Sequence, residues 1–274
     1  PLVRAQPSWA RRPDRDSASR LRYRRRMQES DPLAGHCVFV TGGAKRLGAA
    51  MVRRLHAAGS SIVVHYHRSR EAADELVAGL HSVRAGSALA VRGDLNDVDC
   101  LPALVAQAVE RYGRIDVLIN NASTFYPTPV GTITPAQFDD LIGTNLRAPL
   151  FLSQAAAPEL RETRGLIINM VDIHARRPLR AHPVYSAAKA GLVMLTKSLA
   201  RELGPEIRVN GIAPGPVLWP ERDLDESLKA EIVAKTALKR SGTPDDIART
   251  ALFLATEAPY VTGQVIAVDG GRSL

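Results

Sequence analysis

The sequence predicts an α/β domain, a doubly wound parallel sheet of seven strands with helices on both faces. Three observations carry this reading. Short apolar runs alternate with helical stretches from residue 36 to residue 268, which suits a parallel sheet buried on both sides. The first run opens into a glycine-rich turn, Thr41 to Gly48, and then into a helix. Polar residues able to bind or react stand directly after strands, where ligands collect on open sheets of this type.

The chain has 274 residues, of which 45% are apolar, enough for one sizeable core. No internal repeat and no second domain is apparent. No apolar run approaches the roughly 18 residues needed to span a membrane, and no membrane partner is expected. Cys37 and Cys100 sit in apolar surroundings without metal-ligand spacing, so a reduced, cytoplasmic protein with no bound metal is expected. The net charge of +8 is concentrated in a tail: residues 1–26 hold nine Arg and two Asp, and the remainder is near neutral. Residues 1–33 read as a disordered, Arg-rich extension, with Met27 as an internal start, and residues 34–274 as the domain. Nucleic-acid binding, if any, is expected only through that tail.

Taken in order, β1 falls at 36–40, and the turn 41–48 leads a helix to about 58. Its glycines let backbone approach a pyrophosphate, and the helix N-terminus favours negative charge. β2, at 61–66, ends in His67-Arg68-Ser69. No acid stands there to accept from a ribose hydroxyl; the donors suit a phosphate instead, which favours NADPH. β3, at 88–91, is followed by Asp94, a carboxylate able to accept from an adenine amino group. Asp97 is expected to cap a helix through Tyr112. β4, at 115–119, runs into Asn121-Ala122-Ser123-Thr124-Phe125. Thr134-Pro135 opens a helix that carries Asn145 and runs toward Leu160. β5, at 166–170, leads to Asp172, and a helix at 184–203 bears Tyr185 and Lys189, one turn apart on one face. β6, at 208–212, leads to Pro214, Gly215 and Val217. Residues 219–243 read as a mobile lid with a short helix, Pro244 starts a helix to about 256, and β7 lies at 264–268.

Thr41-Gly42…Gly48, Asp94, Asn120-Asn121-Ala122, Asn145, Tyr185-x3-Lys189, Pro214-Gly215 and Asp269-Gly270-Gly271 together resemble the short-chain dehydrogenase/reductase family over about residues 34–274. Arg46 stands at the family's middle glycine, Asp172 at its catalytic serine, and Ser123 at the glycine after Asn-Ala. With His65-Tyr66-His67-Arg68-Ser69 and the Phe125 loop, these departures look like the pteridine reductase branch. The resemblance implies a Rossmann sheet, a homotetramer held through the two long central helices and the C-terminal region, and NADPH-dependent reduction of a pterin or dihydropterin, with folates as further substrates. It implies an NADPH site formed by Gly42, Lys45, Arg46, Leu47 and Gly48, by Tyr66, His67, Arg68 and Ser69, by Asp94, Leu95, Asn121, Ala122 and Ser123, and by Met170, Tyr185, Lys189, Pro214, Gly215 and Val217.

For the reaction, Tyr185 is expected as general acid, Lys189 as the ammonium that stabilises its phenolate, and Asn145 as support for a water relay. A serine suits a ketone, whereas a C=N bond needs a proton delivered to nitrogen; Asp172 is therefore expected to form one proton-delivery unit with Tyr185. Phe125 is expected to stack on a flat substrate. Arg46 and Ser123 are expected at the pterin edge or cofactor phosphate, and Trp219 as a cap. His174 and His182 flank the site without an assigned role. Two alternatives stand beside this reading: a reductase of ketones, of ketoacyl or sugar type, and a non-catalytic binding protein that retains the fold.

Overall fold

The computed structural model describes residues 31–218 and 225–274. Trp219, and the Arg-rich extension up to residue 30, lie outside the described residues. Leu33, at the end of that extension, is 2% exposed, and its N–H donates to Ala58 O.

Seven strands form one sheet: β1 (Cys37–Val40), β2 (Ser61–Tyr66), β3 (Ala88–Arg92), β4 (Val117–Asn120), β5 (Leu166–Met170), β6 (Arg208–Pro214) and β7 (Val265–Val268). The spatial order is β3-β2-β1-β4-β5-β6-β7. Every pair is parallel, so all C-terminal strand ends lie along one edge. The helices are α1 (Arg46–Ala57), α2 (Arg70–Val83), α3 (Leu101–Tyr112), α4 (Pro135–Ile142), α5 (Ala148–Thr163), α6 (Pro183–Glu202), α7 (Glu226–Ala234) and α8 (Pro244–Thr256).

The strands explain the two-layer core. Val38, Val40, Ile62 and Val64 pack against α1, α2 and α8 on one face. Cys37, Phe39 and Val63 face the other way, among residues of α3 and α5. Alternate side chains point to opposite faces, and both sets are apolar because helices cover both. Burying each such side chain contributes roughly 1.5–3 kcal/mol. Thr134 and Thr243 close capping boxes at the starts of α4 and α8, where proline follows each cap.

Three details differ from the sequence expectation. The helix expected from Thr134 to Leu160 is interrupted: Gly143–Arg147 forms a π-helical turn between α4 and α5. Pro149 lacks the N–H that would bond to the carbonyl of Asn145, which accounts for the break. Asp97 caps a separate 3-10 turn, Val98–Cys100, and α3 starts only at Leu101 with a proline in its first turn. Finally, α2 had no assignment of its own, although Ala73, Leu76 and Leu80 make a single buried stripe at helical spacing.

A buried polar ladder crosses the centre of the sheet. Asn120 and Asn169 are register partners on β4 and β5. Asn120 Nδ2 donates to Asn169 Oδ1 (2.8 Å) and Ser153 Oγ (3.2 Å), and Asn169 Nδ2 donates to Thr196 Oγ1 (3.0 Å). All four residues are buried, and each bond offsets the cost of burying an amide or hydroxyl.

Candidate active site

A cleft of about 800 Å³ runs along the C-terminal ends of β1 to β4. Gly42, Lys45, Arg46, Leu47 and Gly48 form its floor; Tyr66, His67, Arg68 and Ser69 one end; Asp94, Leu95, Asn121, Ala122 and Ser123 the rest. The structure thus gathers most of the expected cofactor residues. It adds others that sequence reasoning missed, among them His65, Asn96, Tyr126, Asp140 and Thr144.

Close packing sets the turn. Gly42 has φ +57, and a Cβ there would lie 3.0 Å from Ala122 Cα. A Cβ on Gly48 would lie 2.3 Å from Gly42 O and 2.7 Å from Asn121 Nδ2. Asn121 spends its amide on the turn, donating to Thr41 O (2.8 Å) and Gly42 O (3.0 Å), so its side chain braces the cradle. Arg46 has φ +53, the left-handed region that costs a side-chain-bearing residue about 1–2 kcal/mol. The backbone there still has the conformation that glycine prefers. α1 begins at Arg46 with no side-chain cap on its N-terminus, which suits an anion.

His65 fastens the turn from below. Gly42 N–H donates to its Nδ1 (3.2 Å), and its Nε2 reaches Gly93 O (3.1 Å). One bond needs a bare nitrogen and the other an N–H, so the neutral Nε2–H tautomer satisfies both. Burial lowers the His65 pKa to about 4. Beyond it, His67 Nε2 lies 3.9 Å from Asp94 Oδ2, and Arg68 is exposed at the cleft end. A glycine turn packed too closely for side chains, an open helix N-terminus and cationic donors after β2 fit a dinucleotide cofactor.

The reacting groups lie past Ser123. Asp172 follows β5 and caps a 3-10 turn, Ile173–Ala175, by accepting from His174 N–H at 2.8 Å. Its other oxygen accepts from the Tyr185 hydroxyl at 2.7 Å. Lys189, 2% exposed, donates to Met170 O at 2.9 Å, and its Nζ lies 5.7 Å from the centre of the Tyr185 ring. Burial, and then Asp172, hold the Tyr185 phenol well above its ordinary range, while a Ser123 hydrogen bond pulls the other way. Burial lowers Lys189 to about 8, with Asp172 opposing. The resting phenol is therefore governed by burial and then by its carboxylate neighbour, the pairing expected from the sequence.

Asn145 is fully buried in the π-helical turn. Its Nδ2 donates to Leu141 O (2.9 Å) and Thr124 O (3.0 Å), and its Oδ1 accepts from Ser123 Oγ (2.6 Å). Ser123 thus joins the cofactor cleft to the reacting cluster. Phe125 meets Tyr185 edge to face, with ring centres 4.8 Å apart. Pro214 ends β6 and Gly215 and Val217 follow it along the same edge, but none of the three lines the cleft, and neither does Met170, whose carbonyl holds Lys189.

Comparison with known proteins agrees with this geometry. A family profile described as enoyl-(acyl carrier protein) reductase matches residues 42–273. Pteridine reductase 1 of Leishmania tarentolae is 37% identical, over 86% of this chain and 96% of that protein. The 3beta-hydroxysteroid dehydrogenase 1 of Eggerthella lenta is 36% identical, over 89% and 96%. A blue fluorescent protein from a metagenomic library, solved in complex with NADPH, superposes with a TM-score of 0.83 at 35% identity, covering 89% of this chain and all of that one.

Proposed function

This chain belongs to the short-chain dehydrogenase/reductase family, and on that footing we propose that it is an NADPH-dependent pteridine reductase that reduces C=N bonds of pterins, dihydropterins or dihydrofolate. The observation that carries this reading is the 2.7 Å hydrogen bond from Tyr185 to Asp172, a carboxylate in the place of the family's serine. Similarity to the Leishmania enzyme supports it.

When bound, NADPH supplies the hydride. Gly42, Gly48 and the α1 N-terminus hold its pyrophosphate, His67, Arg68 and Ser69 its ribose phosphate, and Asp94 its adenine; Asn121 acts through the turn it braces. Tyr185 remains a phenol at neutral pH and is the acid that protonates the substrate ring nitrogen. Asp172 orients that proton and returns one from solvent to the phenolate. Lys189 places a positive charge beneath the ring, and Asn145, with its amide committed to Leu141, Thr124 and Ser123, holds the lysine side of the site in place. Phe125 forms the apolar wall on which a flat ring stacks, with Ser123 and Arg46 at its polar edge.

The runner-up, a carbonyl reductase, is favoured by one finding: the hydroxysteroid dehydrogenase is nearly as similar, at 36%. NADPH oxidation with dihydrobiopterin, dihydrofolate and a panel of ketones separates the two. Turnover of ketones alone would overturn the pterin reading. We further propose a cytoplasmic homotetramer; the exposed Phe138, Phe151 and Met194 on α4, α5 and α6 support contact between chains through these helices.

A further inference from the structure

We propose that His182 is a positioning residue that sets the Phe125 ring for stacking on a flat heterocyclic substrate. This rests on the reading above only in taking such a ring as the ligand.

Phe125 stands in a loop after β4, is 43% exposed, and packs on two rings: Tyr185, edge to face at 4.8 Å, and His182. His182 is the residue before α6. Its imidazole lies parallel to the phenyl ring, with centres 4.7 Å apart and planes 10° apart. It covers one face of Phe125 and leaves the ring's exposed surface for a ligand. The imidazole is itself 7% exposed. Its Nδ1 lies 2.8 Å from Arg180 O, which fixes the ring plane by donation to that carbonyl. Its Nε2 is buried and has no partner among the described residues. A buried polar atom without a partner costs free energy, so the stack on Phe125 is kept at a cost to the fold.

The loop that presents the imidazole is held in a disfavoured state. Ala181 has φ +61, the left-handed region, and its carbonyl accepts from Thr128 N–H at 2.7 Å. Thr128 stands three residues after Phe125. The strained backbone at Ala181, the Thr128 bond and the Arg180 bond together hold one aromatic face against another beside Tyr185.

The test uses the full chain loaded with NADP+, which cannot reduce the ligand, and titrates pterin by calorimetry, with KM and kcat measured alongside using NADPH. His182→Phe keeps the stack and loses the bond to Arg180; His182→Asn keeps a donor for Arg180 and loses the stack. The proposal expects His182→Phe to bind pterin within about twofold of the wild type. It expects His182→Asn to bind about three- to tenfold more weakly, the worth of one aromatic stack. KM should rise by a larger factor than kcat falls, and the Kd for NADPH should not change. Wild-type affinity in His182→Asn, equal weakening in His182→Phe, or a parallel loss of NADPH affinity would overturn it. A wild type that binds pterin without oxidising NADPH refutes the reductase reading and leaves the order of affinities as the test of His182. A wild type that fails to bind pterin refutes both.

Discussion

Asp172 has both oxygens committed, one to the backbone of His174 and one to the Tyr185 hydroxyl. The first bond fixes the carboxylate, and the second gives it work to do. Asp172→Ser keeps the capping bond and removes the charge. We expect pterin kcat/KM to fall by about 100-fold or more, with the NADPH Kd unchanged; full pterin turnover in that variant would sink the proton-delivery role. Lys189 adds a pH limit. Its ammonium is populated below about 8, so kcat should decline as pH rises through that value. His65 sets a limit on the acid side. Its folded pKa lies near 4 against 6.5 for the ordinary group, so the unfolded chain binds the extra proton first. Stability should therefore fall as pH drops from about 6.5 toward 4, by up to about 3 kcal/mol. Urea melts of wild type and His65→Gln at pH 7 and pH 5 check this, the variant being expected to lose less. Reading the sequence identified Asp172, Tyr185 and Lys189 because their types and spacing announce proton chemistry. His65 counted only toward the resemblance and received no role, since a histidine inside an apolar strand shows no partners until the strand's neighbours bring Gly42 and Gly93 to its two nitrogens.

Elements were legible where caps and periods agree. Thr134-Pro135 and Thr243-Pro244 marked helix starts that the structure closes as capping boxes. The π-helical turn was not legible as such, yet Pro149, which removes one backbone N–H at its end, carried its signal. The turn places Asn145 where Ser123 can donate to it. The glycine-rich turn is as much a packing solution as a binding loop. Gly48→Ala would push a methyl into Gly42 O and Asn121, and overpacking of this kind costs about 1–3 kcal/mol. Thermal melts should show that loss, and NADPH titration a weakened Kd, because the displaced groups are the cradle itself. Unchanged affinity would separate the turn from the cofactor.

Across the whole molecule, function divides along the sheet. The cofactor cleft belongs to β1–β4, and the reacting side chains to the segments after β4 and β5 and to α6. Light scattering should give the mass of four chains, and a charge at Phe151 should shift it downward. That the sheet is parallel and covered on both faces followed from alternating strands and helices; the height at which neighbouring strands align did not, because many slipped pairings of apolar strands look equivalent in a sequence. Here the Asn120–Asn169 pair matters. Ser123 and Asp172 each stand three residues beyond one of these asparagines, so the amide pair sets both at matching heights above the sheet. A slip of one residue would move β5 by about 3.3 Å and turn its side chains over, stranding two amides in the core. The ladder therefore works as a proofreading device for assembly: misaligned chains are penalised before any catalytic group is in place. Replacing both asparagines by leucine should leave a compact protein whose methyl resonances broaden and whose turnover falls, the mark of a sheet that has kept its stability and lost its alignment.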